Sequence, residues 1–267
     1  VSVAGISETR WFGDNRYDVS GSVILSSGRK LPGVGEHHDR GEGVGVVLDG
    51  WAASAWKDGG EEWKAVSSRV MSVRLKLGRG IDGLGRGGKR VRGSKDREAS
   101  HLTVVSVYAP THKSSDEVKN QFYEELGDLL EGVADTDMLV VVGDFNARVG
   151  SRVEGEHHWE GVIGPHGVGN KNDNGKLLLS FCAAQELAIM NTFFEKNSVA
   201  KKVTWQHAGS KGWHCIDFIL MRRAQYKFCN DVEVMRSADC WTDHKLLCMK
   251  LRLRPRKDRI VKKVKKK

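Results

Sequence analysis

The sequence predicts an α+β protein, or a layered α/β/α sandwich, and argues against a doubly wound sheet. Three observations carry this. Short β-type runs recur along the whole chain, many of them arranged as antiparallel neighbours. Only two segments have a clear helical period. One run, Met-Leu-Val-Val-Val at 138–142, is apolar without interruption, as a strand buried on both faces would be.

Residues 44–48, 70–77 and 101–108 read as strands, the second alternating as Val-Met-Ser-Val-Arg-Leu-Lys-Leu. Residues 116–132 read as an amphipathic helix capped by Ser115 or Asp116, with Val118, Phe122, Leu126, Leu129 and Leu130 on one side. Asn174 is expected to cap a second helix, from 175 to about 187, whose apolar stripe includes Leu177, Leu178, Phe181 and Cys182. Further strands are expected at 188–192, 203–206, 216–221 and 245–251. The stretch 77–93 holds seven glycines and no apolar period. Residues 78–98 are therefore expected to form a disordered, Gly/Arg-rich insert between two strands. Its Gly83-Leu84-Gly85-Arg86-Gly87-Gly88 passes loosely for a dinucleotide fingerprint, but no helix follows to receive a pyrophosphate.

At 267 residues, with 39% hydrophobic and 29% charged content, the chain can bury one large core. No apolar run approaches the ~20 residues that span a bilayer. The opening Val1-Ser2-Val3-Ala4-Gly5-Ile6 lacks an initiator Met and the zones of a signal peptide, and is expected to enter the fold partway through a strand. The net charge of +9 is concentrated. Residues 252–267 alone carry a net +9 and residues 78–98 a net +4, so the remaining globular part is slightly acidic. A domain at 1–254 followed by a basic, disordered tail at 255–267 is the expected organisation. The tail reads as a nuclear-import signal, a phosphate-binding arm or simply a solvated end. Five cysteines (182, 215, 229, 240 and 248) with no C-x-x-C pair suggest free, mostly buried thiols in a reducing compartment.

The chemistry gathers at strand ends. The apolar run closing in Gly143-Asp144-Phe145-Asn146 delivers an acid and an amide into a loop. If extension continues, Asp144 and Asn146 share one face; a strand-end Asp/Asn turn is the equally weighted alternative. Ile216-Asp217-Phe218-Ile219 sets an acid inside an apolar strand, where a carboxylate needs a partner, and a histidine suits it. Thr242-Asp243-His244 offers a hard oxygen ligand beside an imidazole. Ser7-Glu8-Thr9 and Val107-Tyr108-Ala109-Pro110 add an acid and a phenol, each just past an apolar run. The pairs His37-His38 and His157-His158 lack companion ligands for zinc, since neighbouring side chains point apart. Of eight tryptophans, seven are read as core or loop packing and Trp205 alone as functional.

Taken in order, Ser7-Glu8-Thr9, Val107-Tyr108-Ala109-Pro110, Gly143-Asp144-Phe145-Asn146, Thr204-Trp205, Ile216-Asp217-Phe218 and Thr242-Asp243-His244 resemble the exonuclease–endonuclease–phosphatase family. Gly164-Pro165-His166-Gly167, Asn172-Asp173-Asn174-Gly175-Lys176 and Asp239-Cys240-Trp241 look most like its apurinic-type endonuclease domains from non-LTR retrotransposons and the host proteins related to them. The resemblance implies a four-layer α/β/β/α sandwich of two mixed β-sheets flanked by helices, here truncated before the Ser-Glu-Thr strand. It implies that Glu8 binds Mg²⁺ or Mn²⁺ with Asp243 near the same cluster, and that Asp144 positions or deprotonates the attacking water. Asn146 would help hold water and phosphate, His244 would contact the phosphate while oriented by Asp217, and Tyr108 would contact it or assist the leaving group. Trp205 would line the groove near the target nucleotide.

The leading expectation is a DNA-nicking endonuclease that leaves a 3′-hydroxyl, acts in the nucleus, and needs neither a membrane nor an obligate protein partner. The alternative is a catalytically inactive, domesticated fragment that binds nucleic acid or chromatin. A phosphoinositide or sphingomyelin substrate ranks below both.

Overall fold

The computed structural model describes residues 2–30, 41–82, 98–152, 157–238 and 242–253. The tail, most of the Gly/Arg insert, His37-His38 and Asp239-Cys240-Trp241 lie outside the described residues.

Among the described residues are two larger sheets, a two-stranded sheet and a short hairpin. A six-stranded sheet is ordered β5(Trp63–Ser67), β6(Val70–Asp82), β7(Glu98–Tyr108), β8(Met138–Asp144), β12(Asp217–Arg222), β9(Leu187–Ile189). Only β7 and β8 run parallel; their crossover is the helix α2(Asp116–Glu131). A four-stranded antiparallel sheet is ordered β1(Val3–Ser7), β4(Val44–Leu48), β3(Ser22–Ser27), β2(Asp14–Val19). The strands β13(Cys229–Met235) and β14(Leu246–Leu251) pair with each other, as do the two-residue strands β10(Trp205–Gln206) and β11(Trp213–His214).

Alternation along the strands of the large sheet feeds two cores. One face carries Met71, Val73 and Leu75 from β6, Leu102 and Val104 from β7, and Met138 and Val140 from β8. It packs against Val23, Leu25, Val44, Val46 and Leu48 of the smaller sheet. The opposite face carries Val105, Val107, Leu139, Val141, Phe218 and Leu220. It is covered by Phe122, Leu126, Leu129 and Leu130 of α2 and by Leu178, Leu179 and Cys182 of α3(Asp173–Ala184). The helix α1(Gly50–Asp58) buries Ala52, Ala53, Ala55 and Trp56 at the margin of the inter-sheet core. The molecule is the expected α+β sandwich of two sheets with few helices.

Several boundaries differ from the sequence reading for physical reasons. β6 continues to Asp82 and pairs Ile81 with Ala99 and Asp82 with Glu98, so ladder hydrogen bonds extend the hairpin into the glycine-rich stretch. The second helix is capped by Asn172, whose Oδ1 accepts from Gly175 N, and not by Asn174. Of the expected 188–192 strand only 188–189 is extended, within β9(Leu187–Ile189), the chain then turning through a 3₁₀ segment at Met190–Thr192. The β2–β3 hairpin turns at Ser20-Gly21, both with positive φ, the geometry that matches strand twist. Among the described cysteines, 182, 215, 229 and 248 are all free thiols and the first three are buried.

Candidate active site

Register assembles the site. Tyr108 on β7 pairs with Asp144 on β8, and Asp217 on β12 pairs with Asp144 from the other side. The three side chains therefore stand in one row at one end of the sheet, on the face that looks toward the smaller sheet. Close approach of β7 and β8 depends on Gly143: its φ is +152°, and a Cβ there would meet Val107 O at 1.9 Å.

Asp144 is almost fully buried, with its side chain 4% exposed. Its Oδ1 accepts from the backbone N–H of Asn146 at 2.7 Å, closing a turn around Phe145. Extension does not continue to Asn146, which sits at φ +46°. The Asn146 side chain donates instead to Ala109 O at 2.9 Å, tying the two loops together. Asp144 and Asn146 thus become neighbours through a turn, with no shared strand face.

His244 bridges the acids. Its Nδ1 donates to Asp217 Oδ2 at 3.0 Å, and its Nε2 lies 4.0 Å from Asp144 Oδ2. Burial opposes a charged imidazole, but the Asp217 hydrogen bond and the Asp217, Asp144 and Asp243 carboxylates outweigh it, and the His244 pKa is pushed up to about 9. Burial drives the Asp144 carboxyl upward, reinforced by the charges of Asp217 and Glu8 and opposed by His244 and the Asn146 N–H. Negative charge is crowded here more densely than one imidazolium relieves.

Glu8 enters from the end of β1. Its Oε1 accepts from the Tyr108 hydroxyl at 2.9 Å and its Oε2 from Arg10 at 3.3 Å. Its backbone is left-handed (φ +54°), a conformation that costs a non-glycine residue roughly 1 kcal/mol or more. Trp205 bridges to His244 through β-type pairing, and its Nε1 donates to Asp243 Oδ2 at 2.7 Å. All eight residues singled out in the sequence (Glu8, Tyr108, Asp144, Asn146, Trp205, Asp217, Asp243 and His244) lie in this one neighbourhood.

The ligand atoms of Asp144, Asp217 and His244 converge within 4.8 Å of one another. With Glu8 and Asp243 at the margin the donor set is rich in carboxylate oxygen, which suits a hard divalent cation better than zinc. The upward shift of the Asp144 carboxyl follows from burial and the same crowding of acids, which a bound cation would relieve.

Supporting residues escaped the sequence reading. Arg69 lies over the Tyr108 ring at 5.4 Å, donates to Tyr108 O at 3.3 Å and pairs with Glu42 at 2.8 Å. Thr204 Oγ1 accepts from Ile216 N and Asp217 N, while Asn191 Nδ2 donates to Asp217 O. Asn174 donates to Pro110 O and Asn146 O, clamping the loops after β7 and β8. Of these, Asn174 is a buried amide in the first turn of α3, where the cap itself is Asn172.

The fold is similar to that of solved exonuclease–endonuclease–phosphatase structures. A family member from Leptotrichia buccalis matches 94% of this chain and 87% of its own at TM-score 0.51 and 12% identity. The endonuclease domain of TRAS1, a telomere-specific non-LTR retrotransposon, matches over 94% and 86% at TM-score 0.54 and 14% identity. The catalytic domain of APE2 from Xenopus laevis matches over 96% and 86% at TM-score 0.56 and 14% identity. In sequence, the chain is similar to craniofacial development protein 2: it is 30% identical to the Bos taurus protein over 254 residues, 95% of this chain. The match spans 37% of that protein's length. No protein-family model matches the chain.

Proposed function

We propose that this chain hydrolyses phosphodiester bonds of DNA with a divalent cation, Mg²⁺ or Mn²⁺, nicking one strand and leaving a 3′-hydroxyl. The observation that carries the reading is the row Tyr108–Asp144–Asp217, with His244 held between the two acids. A bound cation would neutralise charge on the phosphoryl oxygens; Glu8, whose charge bears on Asp144, and Asp243, whose charge bears on His244, are the residues that would hold it.

Asp144 is the general base in this reading. Burial and its acidic neighbours raise its basicity, and the proton of an attacking water passes to its carboxylate. His244, with a pKa near 9, is an imidazolium at neutral pH and presents a positive charge to a phosphate oxygen. Asp217 fixes the ring through Nδ1 and leaves Nε2 for that contact. Asn146, pinned by Ala109 O, helps hold water and phosphate in line. Tyr108 meets the phosphate or steadies the leaving oxygen, and Trp205 lines the groove beside the nucleotide.

Supercoiled plasmid incubated with the purified chain tests the proposal. Conversion to the nicked circle should require Mg²⁺ or Mn²⁺ and disappear in Asp144→Asn and His244→Ala. Nicking that survives both substitutions removes the proposed site. DNA binding without nicking under any divalent metal replaces the proposal with a nucleic-acid binding module.

A further inference from the structure

Beyond the acidic row, the segment that leaves Glu8 carries large aromatic side chains that the core does not use. Trp11, Phe12 and Tyr17 are 37%, 46% and 43% exposed, whereas Trp56 and the phenylalanines of the two cores are buried. Isolated exposed rings are ordinary, but three within seven residues are not. Trp11 meets Tyr17 edge to face at 5.5 Å, and the Arg29 guanidinium lies over the Phe12 ring at 4.8 Å. Arg10, between Glu8 and Trp11, is exposed and touches Glu8.

This surface is held in place. Gly13 N donates to Arg29 O, Arg29 N to Trp11 O and Gly28 N to Gly13 O, while Thr9 N and Arg10 N donate to Gly43 O and Glu42 O. The Asn15 side chain donates to Phe12 O at 2.8 Å. Left-handed backbone at both Glu8 and Arg10 bends the chain as it leaves β1. Rings fixed in advance lose little entropy on binding. Three residues of chain reach at most about 10 Å, so Trp11 stands within that distance of Glu8.

We propose that Trp11, Phe12 and Tyr17, with Arg10 and Arg29, form a stacking surface for unpaired bases of a nucleic-acid strand that runs from the phosphate site. The proposal rests on the phosphodiesterase reading and adds that part of the bound substrate is single-stranded. Interleaved rings and guanidinium groups are the chemistry of single-strand recognition, since every base offers a π-face and stacking within a duplex covers it. A docked protein strand fits less well: the outer strand β2 carries Asp14, Arg16 and Asp18, charges that blunt edge-to-edge pairing.

Binding is measured without divalent cations, by fluorescence anisotropy of a labelled oligo-dT and of a matched duplex. Trp11→Ala and Phe12→Ala should each weaken single-strand binding about tenfold and duplex binding less than about threefold. Trp11→Phe, which keeps a ring, should recover most of the loss, and circular dichroism of each variant confirms the fold. Equal losses on single strand and duplex, or no loss in a folded variant, overturn the proposal. Plasmid nicking separates this idea from the one it rests on. Ring-dependent single-strand binding by a chain that never nicks removes the enzyme reading and keeps the surface; nicking with ring-independent binding does the reverse.

Discussion

The two ends of β8 carry the same residue in nearly the same burial. Asp137, just before the strand, has a side chain 1% exposed, and Asp144, its last residue, 4%. Asp137 is met by a bidentate Arg74 at 2.7 and 3.2 Å and by Thr103 Oγ1 at 3.0 Å, with His101 4.0 Å away. Asp144 is met by one backbone N–H and a histidine 4.0 Å off, and it faces two further acids. Burial alone therefore does not mark a functional carboxylate. The mark is incomplete compensation: Asp137 has a full set of donors, while Asp144 keeps capacity for a proton, a cation or water.

The largest effect expected from breaking this contrast falls on chemistry. Asp144→Asn keeps the side chain's shape and should lower plasmid nicking by about 10²–10⁴-fold, the usual contribution of a general base, with DNA binding by gel shift retained. Asp137→Asn should leave nicking per folded molecule unchanged. Comparable nicking losses in both would mean that the two ends are not functionally distinct.

Stability should respond in the opposite place. Arg74→Met leaves Asp137 buried beside an apolar side chain, and urea unfolding should show a loss of about 3 kcal/mol, at the lower end for a broken buried pair because Arg74 is partly exposed. Tryptophan fluorescence and far-UV dichroism should report the same midpoint. An unchanged midpoint would show that Thr103 and His101 compensate Asp137 unaided.

These two ends were not equally legible in the sequence. Asp144 belongs to a contiguous motif at the close of an apolar run, and Asp217 is conspicuous as an acid between apolar neighbours, so local pattern suffices for both. Asp137 follows Asp135 and Thr136 in a polar link, and its partners arrive from β6 and β7, 63 and 34 residues away. Arg69 with Glu42, and Thr204 with Asp217, are likewise partnerships that only register reveals. The fold was read best where burial follows a regular period, as in α2, or runs almost without a break, as in β4. The β2–β3 hairpin escaped because β2 is exposed on both sides and lacks alternation. The helix α1 escaped because its buried positions are mostly alanine, too small to draw a stripe, although Asp49 supplies a clear cap.

A third test addresses the charge at the Asp144 end. The His244 pKa of about 9 depends on Asp217, so Asp217→Asn should return it toward the ordinary ~6.5 in an NMR titration of the metal-free protein. The sign for stability follows. A raised folded-state pKa gives a contribution that is complete below about 6.5 and lost as pH rises through 9. The native chain should thus lose stability across that window, and Asp217→Asn should flatten the slope. A His244 pKa that stays near 9 in the variant would assign the shift to Asp144 and Asp243 instead.

The smallest effect is the most discriminating, because its sign separates the two ends. Removing the charge of Asp144 in metal-free protein relieves its desolvation and its repulsion from Asp217 and Glu8. The amide oxygen of an asparagine there still accepts from Asn146 N. Asp144→Asn should therefore stabilise the metal-free fold by on the order of 1 kcal/mol, as relief of a strained functional site commonly does. Asp137→Asn should destabilise it, since an amide cannot satisfy both Arg74 and Thr103 as a carboxylate does. Adding Mg²⁺ should raise the melting temperature of the native chain and narrow its gap to Asp144→Asn, because a ligand that binds only the folded state stabilises it by mass action. A destabilised Asp144→Asn would mean that the carboxylate holds the turn around Phe145 more than it strains it, and the contrast between the two ends of β8 would then rest on catalysis alone.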